Sequence, residues 1–132
     1  MNTLSPKQFE HFIQARPETL VLDVRFAYER EDNGYLTRSH HLPWYTPEWD
    51  QNPDFMKQVI ELASSEQALV VVCRSGNRSC NACELLIQNG YREVYNLDSG
   101  YEGLLETCHP TSHPFLSKIL TLTASALLSR AA

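Results

Sequence analysis

Two apolar runs stand out along the chain, Leu20-Val21-Leu22-Asp23-Val24 and Ala68-Leu69-Val70-Val71-Val72. Each is too short for a core helix and lacks the alternation of a strand with one wet face. Each therefore predicts a strand covered on both sides. Val94-Tyr95-Asn96-Leu97 is a third short run, and His41-Leu42-Pro43-Trp44 a brief extended segment. Between these runs the spacing turns helical. Phe9, Phe12 and Ile13 share one face after Ser5-Pro6-Lys7-Gln8. In that start Ser5 caps, Pro6 suits the first helical position and Gln8 completes a capping box; Pro17 ends the helix. Residues 26–33 are rich in charge and predict a short helix leading to Gly34. Trp44 to Pro53 reads as a loop, and Asp54 as the cap of a helix to about Ala63, with Phe55, Val59 and Leu62 turned inward. Ser79 to Asn89 predicts a helix that buries Ala82, Cys83, Leu85 and Leu86 and stops at Gly90. Asp98-Ser99-Gly100 is a turn before a short helix over 101–106. Strand and helix alternate, which predicts an α/β domain with a parallel sheet.

The pattern changes after residue 108. His109 to Pro114 has the composition of a linker, and Phe115 to Leu128 predicts an amphipathic helix with Phe115, Ile119, Leu122 and Ala126 on one side. The expected organisation is one domain over 1–108 and a linker with a C-terminal helix over 109–132. No segment reaches the ~18 unbroken apolar residues of a membrane span. Such a helix more often packs on its own protein, so a membrane partner is not expected.

Composition narrows the function classes. The chain has 132 residues, 42% of them hydrophobic, enough for one domain with a core that needs no staples. A net charge of −5 argues against nucleic acid as a partner. Any anion must then be gathered by local positive groups, which directs attention to Arg74 and Arg78. The four cysteines are Cys73, Cys80, Cys83 and Cys108. Met1 to Gln14 lacks a basic stretch followed by an apolar run, so the expectation is a cytoplasmic protein with reduced thiols.

The strand over 68–72 runs straight into Cys73-Arg74-Ser75-Gly76-Asn77-Arg78, and a helix follows. In open α/β sheets ligands bind beyond the carboxyl ends of the strands, where Cys73 stands. The helix start aims free N–H groups and its positive end back at the loop. Gly76 gives the loop freedom to turn its own N–H groups inward, and two arginines add full charges. Together these stabilise negative charge on the sulfur and on any oxyanion beside it. The chemistry implied is attack by the Cys73 sulfur on an anionic substrate, through a covalent intermediate.

Cys73 to Ser79 resembles the active-site loop of the rhodanese, or thiosulfate sulfurtransferase, domain. Asp23-Val24-Arg25 resembles the DVR after that family's second strand, and Gly34 to Pro43 has the register of its GHIPGAxxIP segment. Gly90-Tyr91-Arg92-Glu93-Val94 and Leu97 to Leu104 resemble its GFxxV and LxGGxxxW stretches, so the likeness covers about residues 3–106. Tyr35, Thr37 and Arg38 replace the usual His, Pro and Gly; Ser99 stands for the first Gly of the pair and Leu104 for the Trp. These departures alter the pocket rim, hence the substrate, and leave the nucleophile in place.

The resemblance implies a mostly parallel five-stranded sheet flanked by helices, and sulfane-sulfur transfer through a persulfide on Cys73, with no metal or organic cofactor. The donor would be thiosulfate or a similar small anion or persulfide, the acceptor cyanide or a thiol, including a protein thiol. Arg74, Ser75, Gly76, Asn77, Arg78 and Ser79 would bind the substrate, Arg74 and Arg78 its anionic group and the loop N–H groups the persulfide. Asp23 and Arg25 read as structural support, tying neighbouring loops. Two alternatives stay open. One is a non-catalytic rhodanese-like binding or regulatory module. The other is a cysteine phosphatase or arsenate reductase, whose Cys-x5-Arg loop would need Arg at position 79, where Ser79 stands.

Other residues read as structural. Cys80-Asn81-Ala82-Cys83 is a CxxC inside a helix and packs more readily on the sheet than it binds zinc. Cys108, His109 and His113 lack a fourth ligand and read as linker. His40 and His41 read as rim residues. Trp44, Tyr45 and Trp49 either line an entrance or cover the core.

Overall fold

A computed structural model of the chain describes residues 2–107 and, in addition, residues 120–121. Its elements in order are β1 (Asn2–Leu4), α1 (Pro6–Ala15), β2 (Leu20–Asp23), α2 (Ala27–Asn33), β3 (Tyr35–Leu36), β4 (His40–His41), α3 (Phe55–Leu62), β5 (Leu69–Val72), α4 (Asn77–Gln88), β6 (Val94–Leu97), α5 (Gly100–Thr107) and β7 (Leu120–Thr121). The main sheet has five strands in the order β1-β6-β5-β2-β4, every pair parallel.

The alternation within β5 explains the two layers. Leu69, Val71 and Cys73 point to one face, into a core with Phe55 and Val59 of α3 and Ala82, Cys83 and Leu86 of α4. Val70 and Val72 point to the other, against Phe9 of α1 and Tyr101, Leu104 and Leu105 of α5. All four residues of β5 are buried, as a continuous apolar run at the sheet centre requires. Each such side chain contributes roughly 1.5–3 kcal/mol by leaving water. α1 begins as its sequence dictates: Gln8 N–H donates to Ser5 Oγ at 3.2 Å and Ser5 N–H to Gln8 Oε1 at 2.9 Å.

Three elements depart from the sequence reading. β1 was not expected, since Asn2-Thr3-Leu4 has no periodicity of its own. It forms on the open edge of β6, with Leu4 opposite Leu97, and Asp98 N–H donates to Leu4 O at 2.8 Å. α4 starts at Asn77 rather than Ser79, because Gly76 adopts φ 107° and turns the chain into the helix at once. Asn77, Arg78 and Ser79 thus lie in the first helical turn and only residues 74–76 form the loop. Of the helix expected over 115–128 only residues 120–121 are described, and these pair antiparallel with Tyr35–Leu36. There the exposed edge of β3 supplies backbone partners that a helix would not need. The rest of that segment, and the linker over 109–114, lie outside the described residues.

Candidate active site

β2 and β5 run side by side in register, Asp23 opposite Val72, so the segments after them leave the sheet together. Cys73 follows β5 directly and is 1% exposed. Its Sγ accepts the Gly76 N–H at 3.0 Å and lies 3.2 Å from Ser79 Oγ. Ser79 is buried in the first turn of α4, and its hydroxyl donates to Asn96 Oδ1 at 2.5 Å. The Asn96 amide in turn donates to Gly76 O at 3.2 Å. One buried asparagine from β6 therefore ties the loop to the helix under the sulfur.

α5 clamps the carbonyls of the same loop through its backbone N–H groups. Tyr101 N–H donates to Cys73 O at 2.8 Å and Glu102 N–H to Arg74 O at 3.1 Å. Gly100 permits the approach: a Cβ there would run into the carbonyl oxygens of Cys73 and Arg74. The preceding Ser99 holds φ 64°, the left-handed region where glycine is at ease, and it stands where the family motif has its first Gly.

Both loop arginines already hold carboxylates. Arg78 makes a two-pronged contact with Glu29, Nη1 to Oε1 at 2.6 Å and Nη2 to Oε2 at 2.9 Å. Arg74 Nε donates to Glu102 at 2.9 Å on the exposed rim. Glu29 is buried in α2 and also accepts the Phe26 N–H at 2.9 Å. Burial alone would raise its carboxyl, but the Arg78 hydrogen bonds, with those of Phe26 and the nearby charges, hold it below the ordinary value. Arg78 is in turn raised, first by its hydrogen bonds to Glu29 and in small part by Cys73 and Tyr28. Arg74 is raised chiefly by Glu102, with Glu29 and Tyr28 contributing less.

The segment after β2 is a buried charge cluster. Asp23 Oδ1 accepts the N–H and Nε–H of Arg25 at 3.1 and 3.0 Å, and Oδ2 accepts Arg25 and Arg30, each at 2.8 Å. Arg25 also donates to Gly34 O at 2.8 Å and lies 4.3 Å from the Tyr101 ring centre. Burial tends to raise Asp23, and the Arg25 hydrogen bonds and charge overcome it, so its carboxyl titrates below the ordinary value. His41 places Nε2 2.7 Å from Arg25 O.

The aromatic residues now separate. Trp44 is buried edge-on against Phe55, while Trp49 is 66% exposed. Trp49 packs its ring 4.8 Å from Phe26, which also stacks on Tyr28 at 5.5 Å. Within the CxxC, Cys83 is buried and its thiol is pushed up to about 12, first by burial and then by the neighbouring Cys80 and Cys73. Cys73, Cys80 and Cys83 are free thiols. Cys108, His109 and His113 lie outside the described residues.

Sequence reasoning missed Glu29, Asn96, Glu102 and the clamp at Gly100. Asn96 left a signal, a polar side chain in the middle of an otherwise apolar strand. Glu29 left another, an acid three residues after the N-cap of a short helix, where it can reach back to the Phe26 N–H. Nothing local marks either as the partner of a residue in the Cys73 loop.

The rhodanese-like domain model matches residues 5–107. Among curated proteins, a rhodanese-like domain-containing protein 17 from Arabidopsis thaliana is 30% identical over 66% of this chain and 69% of its own length. A thiosulfate sulfurtransferase GlpE from Stutzerimonas stutzeri is 32% identical over 63% of this chain and 67% of its own. Not all relatives match along their length: the chain spans 32% of an Arabidopsis thaliana protein named HIGH ARSENIC CONTENT 1, at 36% identity over 42% of this chain. Among solved structures, Rv0390 from M. tuberculosis superposes with a TM-score of 0.67 at 23% identity, covering 81% of this chain and 84% of that one, a likeness of fold. The matched span takes in four of the five strands of the sheet, the Cys73 loop and the α5 clamp, and the chain belongs to the rhodanese-like domain family.

Proposed function

We propose that the protein is a sulfurtransferase in which Cys73 carries a sulfane sulfur from thiosulfate or a persulfide donor to cyanide or a thiol. The Cys73 thiolate attacks the sulfane sulfur of the donor. A new S–S bond forms at Sγ, the donor's S–S bond breaks, and the donor leaves with the electron pair as sulfite or thiolate. An acceptor thiolate then attacks the outer sulfur and regenerates the Cys73 thiolate, so no outside oxidant or reductant is consumed. The observation that carries this reading is the Gly76 N–H aimed at Sγ from the start of α4. N–H groups at a helix start favour a thiolate, and a terminal persulfide anion after it. Ser75, Asn77 and the N–H groups of the loop complete the cradle, and Asp23 and Arg25 hold the neighbouring segment against it. Arg74 and Arg78 are the cations available to an anionic donor, each by loosening its present carboxylate partner.

Phosphatase chemistry fits less well. A Cys-x5-Arg loop needs arginine six residues after the cysteine, and Ser79 stands there. A cytoplasmic setting suits a chain whose described cysteines are free thiols. No helix among the described residues is long and apolar enough to cross a membrane.

Intact mass after incubation with thiosulfate, and separately with inorganic polysulfide, tests the proposal. The wild type should gain one sulfur from at least one donor, cyanide should remove it, and Cys73→Ala should gain none. Turnover of an aryl phosphate without any sulfur adduct would replace this reading by the phosphatase. Neither activity would leave a binding module.

A further inference from the structure

The loop cations are neutralised while aromatic rings beside them are left in water, and this bears on what Cys73 serves. Tyr28 and Trp49 are 56% and 66% exposed, yet they are not scattered. With Phe26, Ala27 and Pro47 they line one open cavity of about 220 Å³. Among the described residues, the other large exposed apolar side chains, Ile60 and Ile87, contribute nothing to it. Isolated apolar residues at a surface need no explanation, whereas a gathered set of rings marks a binding surface.

The backbone works to present Trp49. It holds φ 67°, uncommon for a bulky residue, within a turn closed by Trp49 N–H to Thr46 O at 2.9 Å and Thr46 N–H to Asp50 O at 2.7 Å. The bridge between Tyr45 and Gln51 closes the same turn from outside. Strain of this kind persists where the surroundings over-determine it, and it concentrates at ligand clamps.

The cavity borders the residues after Cys73 through Phe26. The Phe26 ring lies 5.6 Å from the Arg78 guanidinium, and the Phe26 N–H is held by the same Glu29 that holds Arg78. Tyr28 is close enough to add to the electrostatics of both Arg74 and Arg78. A charged group arriving here would have to separate Arg78 from a buried carboxylate, a step that costs several kcal/mol. An uncharged apolar group meets no such obstacle.

We infer that, on the sulfurtransferase reading, the acceptor is a thiol borne on an uncharged apolar group, aromatic or branched, that seats against Phe26, Tyr28, Pro47 and Trp49 while its sulfur reaches the Cys73 persulfide. The acceptor thiolate attacks the outer sulfur; the new S–S bond forms on the acceptor and the old one breaks, with its electron pair returning to Cys73 Sγ.

Polysulfide-loaded protein, discharged under single turnover by benzyl mercaptan or by 2-mercaptoethanol and followed by loss of one sulfur from the intact mass, tests this. Benzyl mercaptan should act at least about fivefold faster, the gain a ring contact of ordinary strength gives. Trp49→Ala should bring the ratio of the two rates toward one, and Tyr28→Ala should lower it. Ile60→Ala, on the exposed side of α3, should keep the wild-type ratio. Equal rates in the wild type, or a ratio unchanged in both aromatic variants, would overturn the inference. Failure of polysulfide to place any sulfur on Cys73 is a separate result, which sinks the sulfurtransferase reading and this acceptor with it.

Discussion

β2 and β5 end at the same height in the sheet, and the segments that follow them are held by different means. After β2, side chains do the holding: Asp23 gathers Arg25 and Arg30, and Arg25 reaches on to Gly34 O. After β5, main-chain N–H groups do most of it: those of Tyr101 and Glu102 grip the carbonyls of Cys73 and Arg74, and one side-chain amide, that of Asn96, grips the carbonyl of Gly76. The first arrangement consumes the side chains it is made of. The second fixes the chain while leaving Cys73 Sγ as an acceptor for the Gly76 N–H. Adjacent strand ends can thus be divided into a bracket and a workbench, and the order of the side chains around each says which is which.

Breaking the bracket should have the largest effect. Asp23→Ala leaves two guanidiniums without their buried partner and should cost about 3–5 kcal/mol, read from urea unfolding. The carboxyl of Asp23 is held below its ordinary value, so its stabilisation is complete above about pH 4 and is lost as pH falls through the lower folded value. A variant lacking it should therefore show a flatter dependence of stability on pH in the acid limb.

Breaking the clamp should come next. Gly100→Ala drives a methyl group into the carbonyls of Cys73 and Arg74 and adds strain at φ 58°. It should cost roughly 2–3 kcal/mol and lower sulfur loading of Cys73 at least about tenfold. A variant that lost stability but loaded at the wild-type rate would show that α5 supports the fold and not the site.

The smallest effect belongs to the contact between the two segments. Glu29→Gln removes the charge that occupies Arg78 and should cost about 1–2 kcal/mol. It should also raise kcat/KM for thiosulfate several-fold over an organic persulfide, because Arg78 becomes free for the anion. Glu29 is likewise held low, so its share of stability is present above about pH 4.5, is lost as pH falls through the folded value, and is absent from the variant throughout.

What the sequence could disclose follows the distance over which each feature is encoded. β5 and the cap of α1 are written in consecutive residues, and Cys73 stands at the strand end where the run of valines stops. The family motif carried the five-stranded sheet, although residues 2–4 gave no sign of the fifth strand, whose order is imposed by β6. The arginines were visible, but not their occupation: Glu29 lies 49 residues from Arg78 and Glu102 lies 28 from Arg74. Trp44 and Trp49 looked alike until a left-handed turn residue put one inside and the other out. The early start of α4 was hidden because Asn77 and Arg78 have no preference strong enough to announce a helix, and Gly76 decides it.

The grip of α5 on the Cys73 loop also orders events at the ribosome. A chain made from its N-terminus releases the cysteine well before Tyr101 and Glu102, the residues whose N–H groups close the loop around it. β1 lies beside β6, so it must likewise wait for a strand made about 90 residues later. Long-range parallel pairing of this sort is slow to form. Until α5 has been synthesised and docked, the carbonyls of Cys73 and Arg74 lack their partners, and the segment after β5 has no fixed shape.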